Sequence, residues 1–97
     1  MNNERLYLIT YDIRNPKRLR RIFRLMKGYG EWLQYSVFQC LLSRKRHVEL
    51  IAELDDAIEH GEDHILCFEL SPVGRPTPKI TSLGKSYEPV VRKPIIV

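Results

Sequence analysis

"LYLITYDI", residues 6–13, alternates between two sets of side chains and is rich in β-formers, so it reads as a strand. Leu6, Leu8, Thr10 and Asp12 then lie on one face of the strand, and Tyr7, Ile9, Tyr11 and Ile13 on the other. The next stretch, "RNPKRLRRIFRLMK" (14–27), changes period. Asn15 and Pro16 suit a helix cap and a first helical position. Leu19, Ile22, Phe23 and Met26 follow at i, i+3, i+4 and i+7, which predicts one apolar stripe and a helix ending near Gly28.

Working outward, "WLQYSVFQCLL" (32–42) reads as strand again, divided into two by a bend near Gln39. A second amphipathic helix is expected between Ser43, a plausible cap, and Gly61, a stop. Its stripe is Val48, Ile51, Leu54 and Ile58, and its wet side Glu49, Glu53, Asp56 and Glu59. "DHILCFEL" (63–70) is a further strand. Five of the six prolines then fall in 72–97, where only residues 80–83 and 94–97 look β-like. The order β-α-β-β-α-β defines an α+β fold, the ferredoxin-like sandwich, with an extra C-terminal strand. Residues 1–84 make one domain and 85–97 an extension that crosses to a partner chain or docks another protein. Both helices would cover one sheet face, leaving Leu6, Leu8 and half of "QYSVF" on an open face that invites self-association. The terminal "IIV" (95–97) suits strand addition to a neighbour's sheet edge.

Composition narrows the function classes. A chain of 97 residues holds one compact core. With 43% hydrophobic and 29% charged residues, and no apolar run near the length of a membrane span, it reads as a soluble cytoplasmic protein with no membrane partner. Cys40 and Cys67 sit in apolar strand-like runs and read as buried free thiols. His47, His60 and His64 lack zinc-finger spacing and read as helix-end or surface residues. The net charge of +4 is unevenly spread: residues 1–47 carry +8, 48–71 carry −8 and 72–97 carry +4. The basic part suits a polyanion, and the acidic part suits solvent or a basic partner.

Three features carry chemistry. Asp12 is a lone acid at a strand end; either it pairs with an arginine of the following helix or accepts backbone N–H bonds in the turn, or it ligates a metal. Magnesium usually takes one or two carboxylates plus waters and phosphate oxygens, and no second acid is near Asp12 in sequence. A twofold dimer joined through open sheet faces would bring two copies of Asp12 together, and a divalent cation would relieve their repulsion. Second, Arg14, Lys17, Arg18, Arg20, Arg21, Arg24 and Lys27 occupy one acid-free segment. Like charges at i,i+4 cost a helix a few tenths of a kcal/mol each, roughly, which suggests a use in gripping backbone phosphates. Third, in "QYSVF", Gln34, Ser36 and Phe38 are expected on one face and Tyr35 and Val37 on the other, with Ser36 near Asp12. A small-ligand regulator of the same fold would not need so many cations.

"YDI" closing the first strand, the "KRLRR" helix start, "GYG" and "QYSVF" together resemble the Cas-two family, the small CRISPR-associated partner of the spacer integrase. The resemblance implies a homodimer with sheets face to face and crossing C-terminal strands. It implies an Mg2+ (or Mn2+)-dependent endonuclease on RNA or duplex DNA, with Asp12 as metal ligand and Tyr11, Ser36 and Phe38 beside it. The helix arginines match Arg18 and Arg20 best. It also implies a role in spacer acquisition as a bridge between integrase dimers. Trp32 stands where many relatives carry an arginine.

Overall fold

A computed structural model of the chain describes residues 4–70 and 79–85. Seven elements follow in the order β1 (Arg5–Asp12), α1 (Pro16–Lys27), β2 (Glu31–Gln34), β3 (Val37–Leu42), α2 (Arg44–Ala57), β4 (His64–Glu69) and β5 (Lys79–Gly84). The strands form one sheet of order β2-β3-β1-β4-β5, with every neighbouring pair antiparallel. This is the ferredoxin-like α+β arrangement with β5 added at one edge. No helix among the described residues is long and apolar enough to cross a membrane.

The alternation of β1 sorts its side chains as expected. Tyr7, Ile9 and Tyr11 are buried, whereas Leu6, Leu8 and Thr10 are only half-buried and Asp12 is exposed. The buried set packs with Phe38, Cys40 and Leu42 of β3, Ile65 and Cys67 of β4, and Ile22, Met26, Leu50 and Leu54 of the helices. Each large apolar side chain fully buried there contributes about 1.5–3 kcal/mol. Both helices thus cover one sheet face. On the other, Leu6 and Leu8, Val37 and Leu41, Leu66 and Phe68 stand side by side through the register Leu6↔Leu41, Leu8↔Phe68, Thr10↔Val37 and Thr10↔Leu66.

Helix α1 begins where the sequence places it. The Asn15 side chain accepts from the Lys17 and Arg18 amides at 2.8 and 3.1 Å, Pro16 opens the helix and Gly28 closes it. Helix α2 differs. Ser43 caps it, accepting from the Arg46 amide at 3.2 Å, but the helix ends at Ala57 rather than near Gly61. Ile58 is already extended, and Leu50, Leu54 and Ala57 form the buried stripe. Val48, assigned to that stripe from sequence, is 60% exposed.

The bend in 32–42 also moves. The chain turns at Tyr35 and Ser36, not near Gln39. Tyr35 adopts a φ of 43°, and the Trp32 indole N–H donates to its carbonyl at 2.7 Å. A register shift between Trp32 and Gln34 pairs Gln34 with Val37, so Gln34 does not share a face with Ser36 and Phe38. Residues 86–97, including the expected terminal strand at 94–97, lie outside the described residues.

Candidate nucleic-acid and metal site

Asp12 ends β1 directly across from His64, the first residue of β4. Both belong to the uncovered sheet face, and Asp12 is exposed. The His64 ring is turned to β5, its Nε2 2.9 Å from the Ser82 hydroxyl. No group of three or more His, Cys, Asp or Glu side chains able to hold a metal occurs among the described residues. A hard cation would therefore find one carboxylate per chain at Asp12. That donor set suits magnesium or manganese, which take one or two carboxylates and fill the rest with water and phosphate oxygens.

The other expected site residues are placed differently. Tyr11 and Phe38 are buried on the helix-covered face, their rings 6.2 Å apart, and Phe38 also meets Phe23 edge-on at 5.5 Å. The Tyr11 amide donates to the Ser36 carbonyl at 3.0 Å. Burial raises the Tyr11 hydroxyl above its usual range, against an opposing hydrogen bond from the Ser36 side chain. Ser36 thus faces Tyr11 on the covered side, not the open face expected from sequence. The reason is the turn at Tyr35, which hands Val37 to the open face and Ser36 and Phe38 to the core side. Asp12 stands across the sheet from all three.

The cations divide as well. Arg14, Lys17, Arg20, Arg21 and Arg24 are exposed, and the last four lie on the side of α1 away from buried Ile22 and Met26. Lys27 lies 5.6 Å from the centre of the Phe23 ring. Arg18 is committed elsewhere: its Nε donates to Asp63 Oδ2 at 2.8 Å and its Nη2 to Oδ1 at 3.2 Å. Asp63 is fully buried and also accepts from the Arg14 and Glu59 amides at 3.0 and 2.9 Å. Burial pushes the Asp63 carboxyl upward, but Arg18 and the two amides outweigh it and hold the group below the usual carboxylate range. Arg18 is thus held in an ion pair with a buried carboxylate. Nothing in the spacing of the chain pairs position 18 with position 63, so sequence reading missed both Asp63 and the approach of His64 to Asp12.

A ferredoxin-like domain with an uncovered apolar sheet face, one exposed strand-end carboxylate and a basic first helix defines the class. The profile described as "CRISPR associated protein Cas2" matches residues 5–73. The chain belongs to the CRISPR-associated Cas2 family. It is 46% identical over 94 residues to "CRISPR-associated endoribonuclease Cas2" of Geobacter sulfurreducens, covering 97% of this chain and 99% of that one. It is 41% identical over 96 residues to "CRISPR-associated endoribonuclease Cas2 1" of Rhodospirillum rubrum, covering 99% and 94%. Among solved structures, Streptococcus pyogenes Cas2 at pH 6.5 superimposes with a TM-score of 0.64 at 32% identity, covering 68% of this chain and 86% of that one. A hypothetical protein, TT1823 from Thermus thermophilus, gives a TM-score of 0.68 at 30% identity, covering 78% and 99%.

Proposed function

We propose that this protein is a metal-dependent endonuclease of CRISPR adaptation, acting on RNA or duplex DNA as a homodimer that shares one site between two copies of Asp12. The observation that carries this reading is the exposed Asp12 carboxylate at the border of an apolar sheet face that no described residue covers. Apposing two such faces about a twofold axis buries Leu8, Leu66 and Phe68 and gives each Asp12 a symmetry mate. One cation held there would neutralise the paired carboxylates and supply Lewis-acid activation of a phosphodiester. Arg14 and Lys17 adjoin the same strand end, and Arg20, Arg21 and Arg24 extend the cationic surface along α1, suited to backbone phosphates without base readout. The names of the relatives, endoribonucleases, support the reaction class.

A second reading has its own support. Tyr11, Ser36 and Phe38 lie on the covered face, away from Asp12, so little besides Asp12 is positioned for chemistry in a single chain. A scaffold that binds duplex DNA by its cations and bridges integrase dimers needs only the fold, the basic helix and the extension at 85–97. The Asp12→Asn variant separates the two. Under the enzyme reading it abolishes Mg2+-dependent cleavage of RNA and duplex DNA, while sedimentation still gives a dimer and DNA affinity is retained. Cleavage that survives the substitution overturns the metal role of Asp12. Spacer acquisition that survives without cleavage favours the scaffold.

A further inference from the structure

Asp63 is a carboxylate with no access to solvent, and its oxygens are used up inside the protein. Oδ1 accepts from the Arg14 amide and Arg18 Nη2, and Oδ2 from the Glu59 amide and Arg18 Nε. Four donors match the roughly four lone-pair directions a carboxylate offers. On the guanidinium, Nε and Nη2 are both engaged by this carboxylate, and Nη2 also lies 3.5 Å from Glu62 Oε1. Asp63 is further fixed through its backbone. Its carbonyl accepts from the Lys85 amide at 3.1 Å, and Gly84, at φ +92°, passes so close that a Cβ there would collide with that carbonyl. Its amide donates to the Glu59 carbonyl at 2.8 Å.

The position of this cluster matters more than its strength. Asp63 immediately precedes His64, the residue facing Asp12 across the ladder. The amide it holds is that of Arg14, two residues after Asp12. Arg18 ties the same carboxylate to the first turns of α1. Asp12 is therefore held on one side by the strand ladder and on the other by a turn whose geometry Asp63 dictates.

We propose that Arg18 and Asp63 form a positioning pair that sets the Asp12–Arg14 turn, and that Arg18 makes no contact with bound nucleic acid. A phosphate that drew the guanidinium off Asp63 would leave a buried carboxylate without its cation, which is strongly unfavourable. Arg20, exposed on the same helix, has no such partner to abandon among the described residues. The positioning half rests on the reading of Asp12 given above; the assignment of Arg18 does not.

The experiment compares Arg18→Met, Asp63→Asn, the double variant carrying both, and Arg20→Ala as control, all as full chains checked for dimerisation. Because a single substitution strands a buried charge and can unfold the protein, the double variant, which removes both charges, keeps the test open. Affinity for a duplex of unrelated sequence is measured against salt. Arg20→Ala should reduce the log–log slope by about 0.9 for each phosphate contact the dimer loses, whereas Arg18→Met and the double variant should keep the wild-type slope. In Mg2+-dependent cleavage, Asp63→Asn and the double variant should lose about tenfold or more in kcat, with KM changed less than about twofold, as for a displaced reacting group. A slope that falls for Arg18→Met as it does for Arg20→Ala overturns the assignment of Arg18. An unchanged kcat in the double variant overturns positioning. Wild-type protein without metal-dependent cleavage overturns the reading of Asp12 and the positioning half with it, while the salt slope still decides on Arg18.

Discussion

His47 is held between two buried neighbours. Its ring stacks on Tyr7 with centroids 4.2 Å apart and planes 6° from parallel, and its Nε2 lies 3.6 Å from Cys67 Sγ. Burial lowers the affinity of the imidazole for a proton; Glu69 opposes this and Lys79 adds to it, and the net shift is downward. The Cys67 thiol is pushed up to about 12, chiefly by burial, so it stays protonated and supplies no compensating anion. The sign of the linkage follows. Below about pH 6.5 the unfolded chain takes up a proton at His47 that the folded chain resists. The stability tied to neutral His47 is complete above that pH and is lost as pH falls toward the lower folded value. Urea midpoints between pH 7.5 and pH 5 should therefore decline on acidification, and decline less in His47→Gln. An equal decline in both proteins would remove His47 from the account. Asp63 acts in a lower window. Its pKa is depressed, so its contribution is full above the ordinary carboxylate range and is lost as pH drops through the folded value.

At the scale of elements, α1 is a helix of six cations whose like charges work against it. Its last turn carries Arg24 and Lys27, which suit the negative end of the helix dipole, but its first turn holds no acid. The start is fixed instead by the Asn15 side chain, which satisfies two free amides. Asn15→Ala should cost about 1 kcal/mol in urea unfolding. No change in midpoint would mean that the packing of Ile22 and Met26 alone sets the helix start. This cap was legible in the sequence because capping is local: Asn15, Pro16 and the apolar period all lie within one short segment. The faces of β1 were legible for the same reason, since alternation needs only neighbours. The end of α2 was not. Ile58 continues the helical apolar pattern but is buried as extended chain, a choice made by the entry into β4. The turn at Tyr35 was equally hidden, because a non-glycine residue at positive φ gives no compositional signal, and the Trp32 indole three residues back that bonds its carbonyl carries no turn signature of its own. The Arg18–Asp63 pair spans 45 residues, and a run of arginines looks uniform until the fold singles one out.

For the whole molecule, charge and apolarity are separated by layer. The helix layer carries cations on α1 and, on α2, the acids Glu53, Asp55 and Asp56, all exposed. The opposite side of the sheet offers leucine, valine and phenylalanine around Asp12 and His64. An apolar face of this extent, left bare, favours association with its own kind. Leu8→Glu, at the centre of that face, should convert the proposed dimer to a monomer in sedimentation velocity with the far-UV spectrum unchanged. A dimer of undiminished affinity would place the interface elsewhere. The proposed metal site follows the same logic, because one chain supplies one exposed carboxylate at this position. The most direct measurement is a Mn2+ titration of the full-length protein, followed by the loss of the free-ion paramagnetic signal. A shared site predicts saturation at one ion per two chains and no uptake at that site in Asp12→Asn. One ion per chain, or binding that ignores the loss of Asp12, would contradict it.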